Sequence, residues 1–150
     1  MAETQVNNVN FKLISQNVRG IRDLRKGNAI FSWIKKQKAD IIFLQETYST
    51  PEIADNWQLQ YKGKMYLSHG TNHSKGVAIL VSSELDFEAK SVIYNPDGRY
   101  VLIDAMIQDS PFLFLNIYAP NDISEQCTYF SNILEILDEH NFDSSSQLFI

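Results

Sequence analysis

Asp40-Ile41-Ile42-Phe43-Leu44-Gln45-Glu46-Thr47 decides how the rest of the chain is read. Ile41 to Leu44 form an unbroken apolar run, led in by Asp40 and stopped by Gln45, Glu46 and Thr47. Without polar alternation, such a run marks a strand buried on both faces, which requires a covering layer on each side. On its N-terminal side, Ile30, Trp33 and Ile34 fall at helical spacing from about Asn28, with Lys35, Lys36 and Lys38 where cations suit the helix dipole. Further back, Phe11, Leu13 and Ser15 alternate with Lys12, Ile14 and Gln16 as a short strand that ends in the turn Asn17-Val18-Arg19-Gly20. Strand, helix and buried strand within roughly 35 residues predict a βαβ-like opening, with the first two strands neighbours or near neighbours in one sheet.

Beyond Thr47 the pattern is mixed α and β. Ile53 and Trp57 are spaced for one helical turn, and Lys64 to Leu67 suit a strand. Gly76 to Val81 is rich in β-branched residues and reads as a firmer strand. Phe87 to Tyr94, Tyr100 to Ile107 and Phe112 to Tyr118 predict an antiparallel meander, joined through Asn95-Pro96-Asp97-Gly98 and Asp109-Ser110-Pro111. Asp122 and Glu125 have the spacing of a capping box for a helix reaching about His140, with Cys127, Phe130, Leu134 and Leu137 on one face. Asp143 to Ser146 reads as a polar loop, and Gln147 to Ile150 as the start of another strand.

Composition bounds the function classes. The 150 residues are 44% hydrophobic and 21% charged, enough to bury a core and sized for one domain. No stretch approaches the roughly 18 apolar residues of a membrane span, and the polar Met1-Ala2-Glu3-Thr4-Gln5 start is unlike a secretory signal. One cysteine, Cys127, offers neither an internal disulfide nor a zinc cage. The reading is a soluble intracellular domain, nuclear or cytoplasmic, with no membrane partner. A net charge of −5 excludes a protein that holds nucleic acid by bulk positive charge, though a metal-dependent enzyme can be acidic because the cation supplies local charge.

Ser15-Gln16-Asn17-Val18-Arg19-Gly20, Leu44-Gln45-Glu46-Thr47 and Asn116-Ile117-Tyr118-Ala119-Pro120-Asn121 each lie where a strand gives way to a loop. Ligands collect at such ends in sheet-based folds, because rigid backbone aims side chains from short loops. Together they offer a carboxylate, amides and a phenol, a polar set suited to a hard cation and a phosphate. Glu46 suits a Mg²⁺ ligand, since that ion takes one or two carboxylates plus waters and substrate oxygens. Asn17 and Asn121 can supply amide donors, and Tyr118 a phenolic donor. Taken singly, each has a plain structural reading: a boundary glutamate, turn asparagines, a core tyrosine with a wet hydroxyl.

Taken in order, N-V-R-G at 17–20, L-Q-E-T at 44–47, G-V-A-I-L at 76–80, N-P-D-G-R-Y at 95–100 and N-I-Y-A-P-N at 116–121 resemble the endonuclease/exonuclease/phosphatase superfamily. Within it, the chain is most similar to the apurinic-type endonuclease domain of LINE-type (non-LTR) retrotransposons. The resemblance runs from about Phe11 to Ile150. It implies an α/β (α+β) chain, the N-terminal portion of a four-layered sandwich of two packed mixed sheets with outer helices. It divides the chain into a polar leader over 1–9 and a family domain over 10–150 that stops before the later catalytic motifs, a G-D-x-N segment and a terminal Asp-His.

The resemblance also implies hydrolysis of DNA phosphodiesters with Mg²⁺ or Mn²⁺. On this reading Glu46 resembles the metal-binding glutamate, with Asn17 acting on the metal site indirectly. Tyr118 resembles the tyrosine that contacts the scissile phosphate, and Asn121 the asparagine that follows on the same loop. Arg99 and Arg19 are lesser candidates for substrate binding; Arg19 stands where many relatives carry Asp or Asn. His69, His73 and His140 match no histidine motif of the family and read as surface or loop residues. The isolated chain is expected to turn over slowly or not at all, and to expose an apolar sheet face that a second sheet would cover. Alternatives are a phosphatase or RNA exonuclease of the same superfamily, or a non-catalytic remnant that serves as a binding module.

Overall fold

A computed structural model describes residues 8–140 and 146–150. The polar leader expected over 1–9 and the loop over 143–146 therefore lie mostly outside the described residues. The element order is β1 (Leu13–Asn17), α1 (Leu24–Gln37), β2 (Ile41–Gln45), α2 (Pro51–Gln60), β3 (Gly63–Ser68), β4 (Val77–Ser82), β5 (Phe87–Tyr94), β6 (Tyr100–Ile107), β7 (Ser110–Ile117), α3 (Ile123–Glu139) and β8 (Gln147–Phe149).

The strands form two mixed four-stranded sheets. The first has the order β1-β2-β4-β3, with β1 parallel to β2 and the other pairs antiparallel. The second has the order β5-β6-β7-β8, the meander of β5, β6 and β7 followed by a parallel β7–β8 pair. Side-chain parity builds the layers from these sheets, because alternate residues of a strand point to opposite faces. Ile41 and Phe43 of β2 and Val77, Ile79 and Val81 of β4 meet Val101, Ile103, Ala105 and Ile107 of β6 and Phe112 and Phe114 of β7 between the sheets. Ile42, Leu44, Ala78 and Leu80 face the other way, against Phe31 and Ile34 of α1 and Trp57 of α2. Leu102, Leu113 and Leu115 pack against Ile133 and Leu137 of α3 on the outer face of the second sheet. The result is the α+β four-layered sandwich, helix–sheet–sheet–helix.

Three expectations need correction. The apolar face of the first sheet is not left bare: the second sheet lies within the same chain, and the inter-sheet residues are at most 4% exposed. Helix α1 starts a turn before Asn28, because the Asp23 carboxylate accepts the Lys26 N–H at 3.0 Å and caps it. Gly27 sits inside this helix, where a Cβ would stand 2.8 Å from the Ile21 carbonyl oxygen. Helix α3 does begin at Asp122, whose side chain accepts the Ser124 N–H, and of the expected face Leu137 is buried, but Ile133 joins it in place of Cys127, Phe130 and Leu134. Ile133 and Leu137 pack inward, while Cys127 is exposed and Phe130 and Leu134 are 43% and 62% exposed. Both stripes have helical spacing, and only the sheet beneath chooses between them.

Candidate active site

Strands β1, β2 and β7 all end at one mouth of the inter-sheet space. β1 and β2 are parallel, so Asn17 and Gln45 are register partners at their C-terminal ends, with Glu46 one residue further. β7 crosses behind them in the second sheet, where Asn116 donates to the Leu44 carbonyl of β2 at 3.0 Å and the Ala78 carbonyl of β4 at 2.8 Å. Tyr118 follows one residue after the end of β7.

Backbone hydrogen bonds tie the loops of this mouth together. Gly20 N–H donates to the Glu46 carbonyl at 2.6 Å and Ile21 N–H to the Thr47 carbonyl at 3.2 Å. Thr47 and Tyr48 N–H groups donate to the Gly76 and Lys75 carbonyls at 3.0 and 2.9 Å. Within this weave Glu46 and Tyr48 hold left-handed backbone, with φ of 54° and 57°. For a bulky residue such a conformation costs energy and persists only where neighbours enforce it. The Tyr48 ring lies against the backbone at Gly20, where φ is +77° and a Cβ would come 2.4 Å from the ring, so only glycine fits.

Asn17 and Glu46 are brought into contact: Asn17 Nδ2 donates to Glu46 Oε1 at 2.8 Å. The Asn17 side-chain oxygen is turned away and accepts the Arg19 N–H at 3.1 Å. Asn17 thus orients the carboxylate through its amide donor. Tyr118 faces the same carboxylate from the second sheet. Its phenol pKa is raised, first by partial burial and then by the charge of Glu46 and hydrogen bonding to it, against an opposing pull from Arg99. The Arg99 guanidinium lies 5.0 Å from the Tyr118 ring centroid, a cation–π contact, and its Nη1 donates to the Tyr118 and Ala119 carbonyls at 3.4 and 3.3 Å. Arg19 enters through its backbone, with φ of 50° and an exposed side chain. Asn121 is exposed in the bend before α3 and forms no hydrogen bond with Asn17, Glu46 or Tyr118 among the described residues.

Sequence reasoning missed the polar layer beneath these groups. Gln45 Nε2 donates to Ser15 Oγ at 3.1 Å and to Asn116 Oδ1 at 2.7 Å. Parity carries the signal for it: Gln45 follows Ile41 and Phe43, and Asn116 follows Phe112 and Phe114, on faces otherwise apolar. His69, half-buried, lies 3.1 Å from Ser49 Oγ, and burial lowers its pKa.

Among the described residues, no three His, Cys, Asp or Glu side chains come together as a metal cage. The donor set still fits Mg²⁺ or Mn²⁺ in one respect: a single half-buried carboxylate, oriented by an amide, beside open space lined by Asn17, Gln45, Asn116 and Tyr118.

Known proteins are similar to this chain in sequence or in fold. The "Transposon TX1 uncharacterized 149 kDa protein" of Xenopus laevis is 28% identical over 134 residues, which is 89% of this chain and 10% of that protein. TDP2 from C. elegans superposes with a TM-score of 0.62 at 26% identity, covering 86% of this chain and 42% of its own. The AP endonuclease LMAP from Leishmania major matches with a TM-score of 0.59 at 19% identity, over 86% of this chain and 46% of its own, a likeness of fold. The chain thus spans about half the length of these solved relatives or less. The model of the Endonuclease/Exonuclease/phosphatase family matches residues 8–144, nearly the whole chain, and the chain belongs to that family.

Proposed function

We propose that the chain carries the cation- and phosphate-holding part of a phosphodiesterase that cleaves DNA with Mg²⁺ or Mn²⁺, of the kind encoded by LINE-type retrotransposons. The observation that carries this reading is the Asn17 amide bonded to the Glu46 carboxylate, with Tyr118 of the second sheet interacting with that carboxylate, beside open space that Asn17 and Tyr118 line. The likeness to a protein whose name places it in a transposon supports a mobile-element setting.

In this reading Glu46 holds the divalent ion, which when bound neutralises phosphate charge and stabilises the leaving oxygen. Asn17 fixes the rotamer of that carboxylate through its Nδ2 donor. Tyr118, a phenol whose pKa is raised further above neutrality, donates a hydrogen bond to a phosphoryl oxygen. Arg99 braces the Tyr118 ring, and Asn121 and Arg19 reach the substrate from the exposed rim. The group that activates water is not among these residues, so the isolated chain is expected to nick DNA slowly or not at all. DNA is the proposed partner.

Plasmid nicking tests the proposal. Supercoiled DNA is incubated with Mg²⁺ and the chain joined to the second half of a family domain, or with the chain alone. Glu46→Ala is expected to abolish whatever cleavage is seen, and unchanged cleavage in that variant refutes the role. Faster turnover of RNA or inositol phosphates than of plain or abasic DNA would replace the substrate assignment. If Mg²⁺ shifts no NMR signal of Glu46 or Asn17, the chain is a binding module without a metal site.

A further inference from the structure

Ser15, Gln45 and Asn116 stand two, one and two residues before Asn17, Glu46 and Tyr118. Gln45 sits at the centre, with one Nε2 reaching Ser15 Oγ at 3.1 Å on its own sheet and Asn116 Oδ1 at 2.7 Å on the other. Asn116 is 1% exposed and completes the crossing with its two bonds to the Leu44 and Ala78 carbonyls. The amide of Asn116 is therefore saturated as donor and engaged as acceptor, which fixes its rotamer and removes the flip ambiguity of a free carboxamide.

The placement is costly unless it serves something. Position 116 continues the inward series of Phe112 and Phe114, and position 45 that of Ile41 and Phe43, where an apolar pair would bury without hydrogen bonds. Apolar packing between sheets is non-directional and tolerates small slides, whereas a bonded amide network allows one arrangement. The groups whose spacing depends on that arrangement lie just past the strand ends: Glu46 one residue after Gln45 on the first sheet, Tyr118 two residues after Asn116 on the second.

We propose that Gln45 and Asn116 are positioning residues, a polar pin that sets the spacing between the Glu46 carboxylate and the Tyr118 phenol across the two sheets. The inference rests on the proposed function only in treating those two groups as a working pair. Asn17 and Glu46 need no pin, because β1 and β2 are hydrogen-bonded neighbours in one sheet. The pin therefore predicts selective uncoupling: sheet-to-sheet communication fails while the contact inside the first sheet survives.

A double-mutant cycle read by NMR on the folded 150-residue chain, without metal or DNA, tests this. In the parent, Glu46→Gln is expected to shift both the Asn17 carboxamide and the Tyr118 ring resonances. In a Gln45→Leu background, the Tyr118 response to Glu46→Gln is expected to fall to roughly half or less, and the Asn17 response to stay. A structural role alone would lower the melting temperature and leave the Tyr118 response in the folded fraction unchanged; that result overturns the proposal. Asn116→Ser provides a second background with the same expected outcome. If neither background folds, the network is a folding determinant and the positioning role is refuted. Because no ion or nucleic acid takes part, failure here leaves the phosphodiesterase reading standing, and failed nicking leaves the pin standing.

Discussion

Phe114→Ala probes whether the two sheets stabilise each other within this chain. Phe114 is 0% exposed on the inward face of β7. Its ring lies 5.7 to 6.4 Å from the centroids of Phe43 in the first sheet, Phe87, Phe112 and Phe149 in the second, and Phe11 in the segment before β1. Truncating a phenylalanine in such a site removes its transfer free energy and leaves a cavity, at about 3–5 kcal/mol. Rings held on every side by other rings collapse poorly into the gap, so the upper part of that range is expected. For a chain of this size the loss corresponds to a fall in Tm of roughly 6–20 °C. Urea unfolding followed by tryptophan fluorescence measures it, with Leu59→Ala as the control. Leu59 is 89% exposed, so its truncation is expected to change stability by less than about 0.5 kcal/mol. A Phe114→Ala cost below about 1 kcal/mol would refute the packed interface, and with it the claim that the second sheet covers the first.

Removing the Tyr61 hydroxyl is expected to help rather than harm. Tyr61 Oη is buried without a hydrogen-bond partner, so Tyr61→Phe should raise stability by about 1 kcal/mol; a fall in Tm would show that the hydroxyl is satisfied in solution. Tyr61 and Tyr129 are both pushed up to about 12, chiefly by burial, while Tyr66, Tyr94 and Tyr118 are also raised. The unfolded chain releases these protons near pH 10 and the folded chain retains them longer, so stability is complete below pH 10 and falls as pH rises towards 12. Melting curves between pH 8 and 12 check the sign, and a flat profile would contradict it.

The fold was legible where period and parity agree. The doubly apolar run at Ile41 to Leu44 demands layers on both faces, and α1, α2 and the second sheet supply them. The meander was marked by Asn95-Pro96-Asp97-Gly98, whose Gly98 has a φ of +70°. What the sequence left ambiguous was degenerate in its own terms. Helix α3 offers apolar residues on neighbouring stripes that share Leu137, and the choice of Ile133 over Phe130 and Leu134 to accompany it belongs to Leu102, Leu113 and Leu115 beneath. The first turn of α1 lies outside the apolar spacing that begins at Asn28, and the Asp23 cap on the Lys26 N–H is what starts it. At the mouth, Glu46 and Tyr118 stood out through motif order. Gln45 and Asn116 did not, because a polar residue near a strand end is ordinarily solvated and only tertiary pairing makes it a core contact.

An acidic chain that handles a polyanion should do so through few, local charges, and this has a measurable signature. The net charge is −5, yet Arg19, Lys75 and Arg99 lie on or beside the loops of the mouth, and Glu135 and Glu139 of α3 share a surface cavity with Lys75 and Arg99, which lowers the positive charge left for a ligand. Of the local cations, Arg99 is partly spent on Tyr118 and the backbone carbonyls of Tyr118 and Ala119. Two or three phosphate contacts are then available, and the slope of log K against log salt for duplex DNA is expected near −2 to −3, by roughly −0.9 per contact. Fluorescence anisotropy across a salt series with Mg²⁺ held constant measures it. A slope steeper than about −5 would mean that the duplex tracks an extended basic surface, and the idea that binding concentrates at the Glu46–Tyr118 mouth would fall with it.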